Sequence, residues 1–221
     1  MGKIAILTAM DKERVQIEKL LKELGAGDRF ILRKCGIGKV SAAITATELI
    51  VRDDVGAIIN TGCAGGNSCY VKVGDVVIAD RTAYHDVFCG DEAAEWDFLG
   101  LPQFMQPDPG LLRQARQCMG GKGSENVKFG LICTGDQFVT SVGEMDKIRA
   151  KYPDVHAVDM ETAAIAHVCC KFNVPFLSLR VVSDTPGVDA HTEQYQDFWD
   201  KLADRSFETM KQILISLIKQ K

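Results

Sequence analysis

The chain has 221 residues, 46% of them hydrophobic and 25% charged, with a formal net charge of −4. That mixture is globular and long enough for one sizeable core, which excludes intrinsic disorder. The mild acidity weighs against nucleic acid or an anionic membrane as the main partner.

Lys3–Ala9 is a continuous apolar run and reads as a buried strand. Asp11–Leu24 follows as a helix, with Val15, Ile17, Leu20, Leu21 and Leu24 on one stripe and Gly25 as its stop. Arg29–Lys34 is a short strand, and Gly36 to Gly38 turns into a helix that runs to about Arg52. Gly56–Thr61 is a second buried strand, expected to end in a glycine-rich loop over Gly62–Gly66. Asp75–Asp80 is a strand, 85–106 is irregular, Pro109–Met119 is helical and Lys128–Thr134 is again a strand. Ser141–Lys151 and Met160–Phe172 read as helices, with the short strand His156–Asp159 between them and the buried strand Pro175–Val182 after them. From Thr192 to Ile218 one long helix is expected, with Tyr195, Phe198, Trp199, Leu202, Met210, Ile213, Leu214, Leu217 and Ile218 along one face. No repeat, low-complexity tract or linker interrupts the alternation. It predicts a single α/β domain over 1–221 with a largely buried sheet.

The eight cysteines show no CxxC pair and no zinc spacing, and several lie in apolar runs, so they read as reduced core residues of a cytoplasmic protein. The N-terminal stretch turns charged too soon for a signal peptide, and no run approaches a membrane helix. No metal or cofactor is expected.

In α/β sheets ligands sit beyond the carboxyl ends of strands. Those ends carry Met10 to Glu13, the TGCAGG stretch, Gly135 to Val139, Met160-Glu161 and Ser183-Asp184. Three carboxylates, an aromatic and a glycine-rich segment thus share one type of edge. Carboxylates beside an aromatic wall suit a ligand made of a sugar and a base: they grip hydroxyls, activate water or protonate a leaving group. Taken singly, each residue has an ordinary structural role, such as a helix-dipole charge for Glu13 or a turn cap for Asp184.

The stretches IAILTAMDKE, CGIGKV, INTGCAGG, KVGDVVIAD, YHD, TGDQFV, AVDMETAAIAHV, NVPFLSLRVVSD and HTEQYQDF follow one another along nearly the whole chain. In that order they resemble the 5′-methylthioadenosine/S-adenosylhomocysteine nucleosidases of the nucleoside phosphorylase superfamily. The resemblance implies a three-layer α/β fold with a central mixed sheet flanked by helices. It also implies a homodimer, and hydrolysis of the bond between adenine and a 5-thioribose. By the matching motifs, Glu13 is the base that activates water and Asp184 the acid that protonates adenine at N7. Glu161 grips the ribose hydroxyls over Met160, Phe138 stacks on adenine and the Val139 backbone reads its edge. Met10, Ile37 and Tyr195 line the ribose and thioether tail, while Ser183 and Arg180 support Asp184 and Glu161. An acid role near neutral pH requires a raised pKa at Asp184, which burial beside an aromatic-lined pocket would supply.

Four places depart from the family pattern. Cys63 stands where a hydroxyl or small apolar residue is usual, so ribose or water contacts there are expected to be looser. The segment between Leu24 and Cys35 is short, Tyr195 replaces a frequent Phe, and 87–106 differs from the commonest version. In the family that last region reaches the partner subunit's site, which nominates Phe88, Trp96 or Phe104. Three rivals stand beside the nucleosidase: a purine nucleoside phosphorylase, a hydrolase of another adenine nucleoside such as aminodeoxyfutalosine, and a non-catalytic nucleoside-binding protein. A phosphorylase wants an Arg before the glycine-rich segment, where this chain has Ile59-Asn60-Thr61. A binder would be expected to lack Glu13 or Asp184, and both are present.

Overall fold

The strands are β1 (Ile4–Thr8), β2 (Phe30–Lys34), β3 (Ala57–Gly66), β4 (Val76–Tyr84), β5 (Val127–Thr134), β6 (Val155–Asp159) and β7 (Phe176–Asp184). The helices are α1 (Asp11–Glu23), α2 (Lys39–Asp53), α3 (Pro109–Cys118), α4 (Val142–Lys151), α5 (Thr162–Phe172) and α6 (His191–Asp197). This computed structural model describes residues 2–88, 100, 102–118, 125–188, 191–198, 211–212 and 215–216. Of the expected C-terminal helix, the described part is helical, and Phe198 is fully buried. Trp199, Leu202, Met210, Ile213, Leu214, Leu217 and Ile218 lie outside the described residues, as does Met119.

Period-two alternation divides the core. Ile6 on β1, Ile59 on β3 and Leu177, Leu179 and Val181 on β7 meet Ile17, Leu20 and Leu21 of α1, Leu111 and Ala115 of α3, and Phe198. Ala5, Leu7 and Ile58 point the other way, to Ala42, Ala46 and Leu49 of α2 and Ala163 to Ala166 of α5. The central sheet is therefore covered by helices on both faces, the expected three layers. It is mixed: β3 with β6 and β4 with β7 are antiparallel, and the other pairings are parallel.

The sheet also closes. Its order is β2-β1-β3-β6-β5-β4-β7, and β7 pairs back onto β3. The ring β3-β6-β5-β4-β7 is filled by Ala64, Val77, Ala79, Ile132, Ala157 and Val182, one or two side chains from each strand. Closure corrects the expectation of a loop at Gly62–Gly66. Those residues are the second half of β3, which pairs with β7 along its length and then with β6 through Gly65 and Gly66. The register slips at Ala64/Gly65, as glycine-rich bulges allow where a strand bends between partners. Strand β4 likewise runs past the charged Asp80-Arg81 pair to Tyr84, with a slip between Ala79 and Arg81. Helix α5 starts at Thr162, so Met160 and Glu161 belong to the turn before it.

Helix α1 differs from the expected stripe in an informative way. Val15 is exposed, and the inward face is Glu13, Ile17, Leu20 and Leu21. A carboxylate occupies a core position. Between Leu24 and Phe30 the chain passes directly from α1 to β2, with no added strand in that short segment.

Candidate active site

One cavity of about 440 Å³ opens where the carboxyl ends of β1, β3, β5, β6 and β7 converge. Eleven of the twelve expected residues line it: Met10, Glu13, Ile37, Cys63, Phe138, Val139, Met160, Glu161, Ser183, Asp184 and Tyr195. The twelfth, Arg180, lies fully buried behind the wall. Its place follows from alternation: Ile58 and Phe176 begin the α5-facing side as apolar residues, then come Asn60 opposite Ser178 and Gly62 opposite Arg180. That face turns polar as it approaches the cavity.

Glu13 is 1% exposed and held by three backbone amides. Ala9 and Met10 donate to Oε2 at 2.8 and 2.9 Å, and Cys63 donates to Oε1 at 2.9 Å. Burial raises its pKa, against the opposing pull of Arg180 and the amides. The Cys63 thiol is pushed well up by burial and by the Glu13 charge, so it is a neutral group. The contact from this position to Glu13 runs through the backbone, and a thiol there leaves it intact.

Gly62 makes this proximity possible. Its φ is 144°, and a Cβ would collide with Glu13 Oε1 and lie 2.8 Å from the Arg180 guanidinium. Gly62→Ala is expected to displace Glu13 and, with Glu13 as the expected base, to lower turnover by about tenfold or more, since small misplacement of such a group is costly. Turnover of that variant equal to wild type in a steady-state assay would show the approach to be loose.

Glu161 accepts from the Gly38 amide at 3.0 Å on Oε1 and from Arg180 at 3.1 Å on Oε2. Burial, partly offset by Arg180, pushes its pKa up to about 7. Arg180 also meets Asp159 at 2.7 Å and donates to Asn60 at 2.9 Å and to Thr162 at 3.2 Å. Burial opposes its charge, but Asp159, Glu161 and Glu13 outweigh that and keep it ionised. Asp184 is 1% exposed and accepts a 2.6 Å hydrogen bond from the Ser183 hydroxyl.

The mouth is apolar. Phe138 is half exposed and meets Tyr195 edge-on, with centroids 6.2 Å apart, and the Tyr195 hydroxyl points to the Met10 sulfur at 3.6 Å. Ile37 is exposed beside them. Of the three aromatics nominated in 87–106, Phe104 packs edge-on against Tyr152 and under Arg81 within its own chain. Phe88 is 71% exposed, and Trp96 lies outside the described residues. Sequence reading missed Asp159, Asn60, Gln137 and the Gly38 amide. Asn60 and Asp159 end apolar strand runs, where a polar residue signals only the strand's end.

The phosphorylase superfamily model matches residues 3–219. A 5′-methylthioadenosine/S-adenosylhomocysteine nucleosidase of Chromohalobacter salexigens is 37% identical, over 93% of this chain and 94% of that one. Among solved structures, the nucleosidase of that name from Neisseria meningitidis, in complex with methylthio-immucillin-A, is 34% identical. It superposes with a TM-score of 0.86 over 98% of this chain and all of that one. The futalosine hydrolase of Helicobacter pylori is 27% identical, with a TM-score of 0.82 over 97% of each chain.

Proposed function

Because this chain belongs to the phosphorylase superfamily, among its 5′-methylthioadenosine/S-adenosylhomocysteine nucleosidases, we propose that it hydrolyses the N-glycosidic bond of those two nucleosides, releasing adenine and a 5-thioribose sugar. One observation carries hydrolysis over phosphorolysis. Four buried carboxylates, Glu13, Asp159, Glu161 and Asp184, line the cavity, and none of the described residues lining it is a cation that could hold phosphate. The nearest guanidinium, Arg180, is spent on Asp159, Glu161 and Asn60.

Breaking the bond leaves an oxocarbenium-like sugar and an anionic base, so the site must donate a proton on one side and support positive charge on the other. Asp184, oriented by Ser183, gives its proton to adenine N7. Glu13 holds the attacking water. Its three amide donors fill Oε2 and leave one acceptor site on Oε1 for water, and its raised pKa makes it a better base. Glu161 accepts from the ribose hydroxyls above Met160, fixed by Gly38 and Arg180. Phe138 stacks on adenine, the Val139 backbone reads its edge, and Met10, Ile37 and Tyr195 surround the 5′ tail.

The protein acts as a cytoplasmic homodimer in salvage of methionine-derived thionucleosides. The dimer is supported by α2, whose Val40, Ile44 and Val51 form an exposed apolar stripe continuing from Ile37 at the cavity mouth. A second copy covers that stripe and brings its Phe88 toward the tail.

Adenine release from methylthioadenosine is expected at the same rate with and without phosphate. Strict phosphate dependence would assign a phosphorylase, and binding without release a nucleoside-binding protein. A higher kcat/KM for aminodeoxyfutalosine than for either thionucleoside would move the assignment to the futalosine branch.

A further inference from the structure

Two segments that reach the site, the start of α2 and the 135–139 loop, are tied together outside it by a half-buried ion pair. Lys39, the first residue of α2, places its ammonium 2.6 Å from Asp86, which follows β4. The same Asp86 oxygen accepts the Asp136 amide at 2.8 Å, at the base of the loop that carries Gln137, Phe138 and Val139. Asp136 answers by accepting the Lys39 amide at 2.7 Å on Oδ1, with its other oxygen 3.8 Å from the Lys39 ammonium. One residue earlier, the Gly38 amide donates to Glu161. Two successive amides at the start of α2 thus hold two carboxylates, one in the site and one behind its aromatic wall.

The local sequence is built for this. Gly38 has φ 94°, and even a Cβ there would press to 3.1 Å of the Asp136 carboxylate. The Lys39 ammonium also sits 5.6 Å above the Tyr84 ring. Burial works against the charge on Asp86, but the Lys39 ammonium and the Asp136 amide hold it below the usual carboxylate range. The far end of the 135–139 loop is fixed separately, by Gln137 and Thr140 on Glu144.

We propose that Lys39 and Asp86 are positioning residues that set Glu161 and the Phe138 loop at a fixed separation, and so match the site to a sugar and a base presented together. The inference rests on the nucleoside-binding part of the reading above. Neither side chain lines the cavity. They act through the Gly38 amide and through Asp136.

Calorimetry tests this without turnover, using methylthio-immucillin-A, which carries both a base and a sugar-like ring, and adenine alone. Lys39→Met and Asp86→Ala are each expected to weaken the analogue about tenfold, the scale of one lost charge-assisted hydrogen bond. The double variant should be no weaker than either single one, and Lys39→Arg should bind like wild type. Adenine, which spans only one of the two tethered parts, should lose less than the analogue. A merely structural pair would lower the melting temperature and leave both affinities unchanged, and that result overturns the proposal. Equal losses for adenine and the analogue overturn it too. If wild type binds the analogue but releases no adenine from methylthioadenosine, the hydrolase reading fails while these affinities still decide the positioning roles. A wild type that binds neither probe overturns both.

Discussion

Asp184→Asn is expected to lower kcat for adenine release about a thousandfold, within the range removed with a general acid. That is roughly 4 kcal/mol of transition-state stabilisation. The substitution is nearly isosteric, and its amide oxygen still accepts the 2.6 Å hydrogen bond from Ser183. In the proposed mechanism, what it removes is a proton that can leave with adenine N7, since an amide donates a hydrogen bond but gives up no proton near neutral pH. Melting temperature should therefore stay within a few degrees of wild type. Turnover close to wild type would take the acid role from Asp184 and return it to water.

Arg180→Met is expected to be the most destabilising single change in the site. The guanidinium is wholly buried and serves Asp159, Glu161, Asn60 and Thr162 at once. Methionine fills much of the volume but leaves two buried carboxylates facing each other. Removing one partner of such a group costs about 3–5 kcal/mol, or roughly a 10–15 °C fall in melting temperature for a chain of this length. Arg180→Lys keeps the charge and loses the planar fork, so it should recover part of the loss. A denaturant titration giving less than about 1 kcal/mol for Arg180→Met would mean the carboxylates take up protons at little cost.

The outcome across the site follows what each residue type signals in one dimension. The order of strands and helices was legible because apolar runs and glycine stops report local geometry directly. Motif order brought eleven of twelve residues to one cavity. Gly62–Gly66 was misread because glycine carries no side chain to alternate, so a bent strand and a loop look the same. Strand β4 was cut short because Asp80 and Arg81 look like a terminus, while in the fold Arg81 pairs with both Asp80 and Asp154. Asp159 was invisible because its meaning comes from Arg180, on another strand. Glu13 had a signal that was overlooked: it stands four residues before Ile17, in register with the inward face of α1.

The closed ring of strands bears on how the chain reaches its folded state. Asn60 and Ser178 hydrogen-bond across 118 residues of sequence, and they do so only when β7 docks against β3. Long-range strand pairing must meet the loop-closure entropy before it is rewarded, so this is a late and slow event. Glu13 gains its Cys63 amide, and Glu161 its guanidinium, from the same two strands. A growing chain on the ribosome therefore lacks the guanidinium that serves Asp159 and Glu161 until some 180 residues have been made. The site is thus assembled from both ends of the chain, and its wall is complete only when Tyr195, eleven residues past the last strand, is in place.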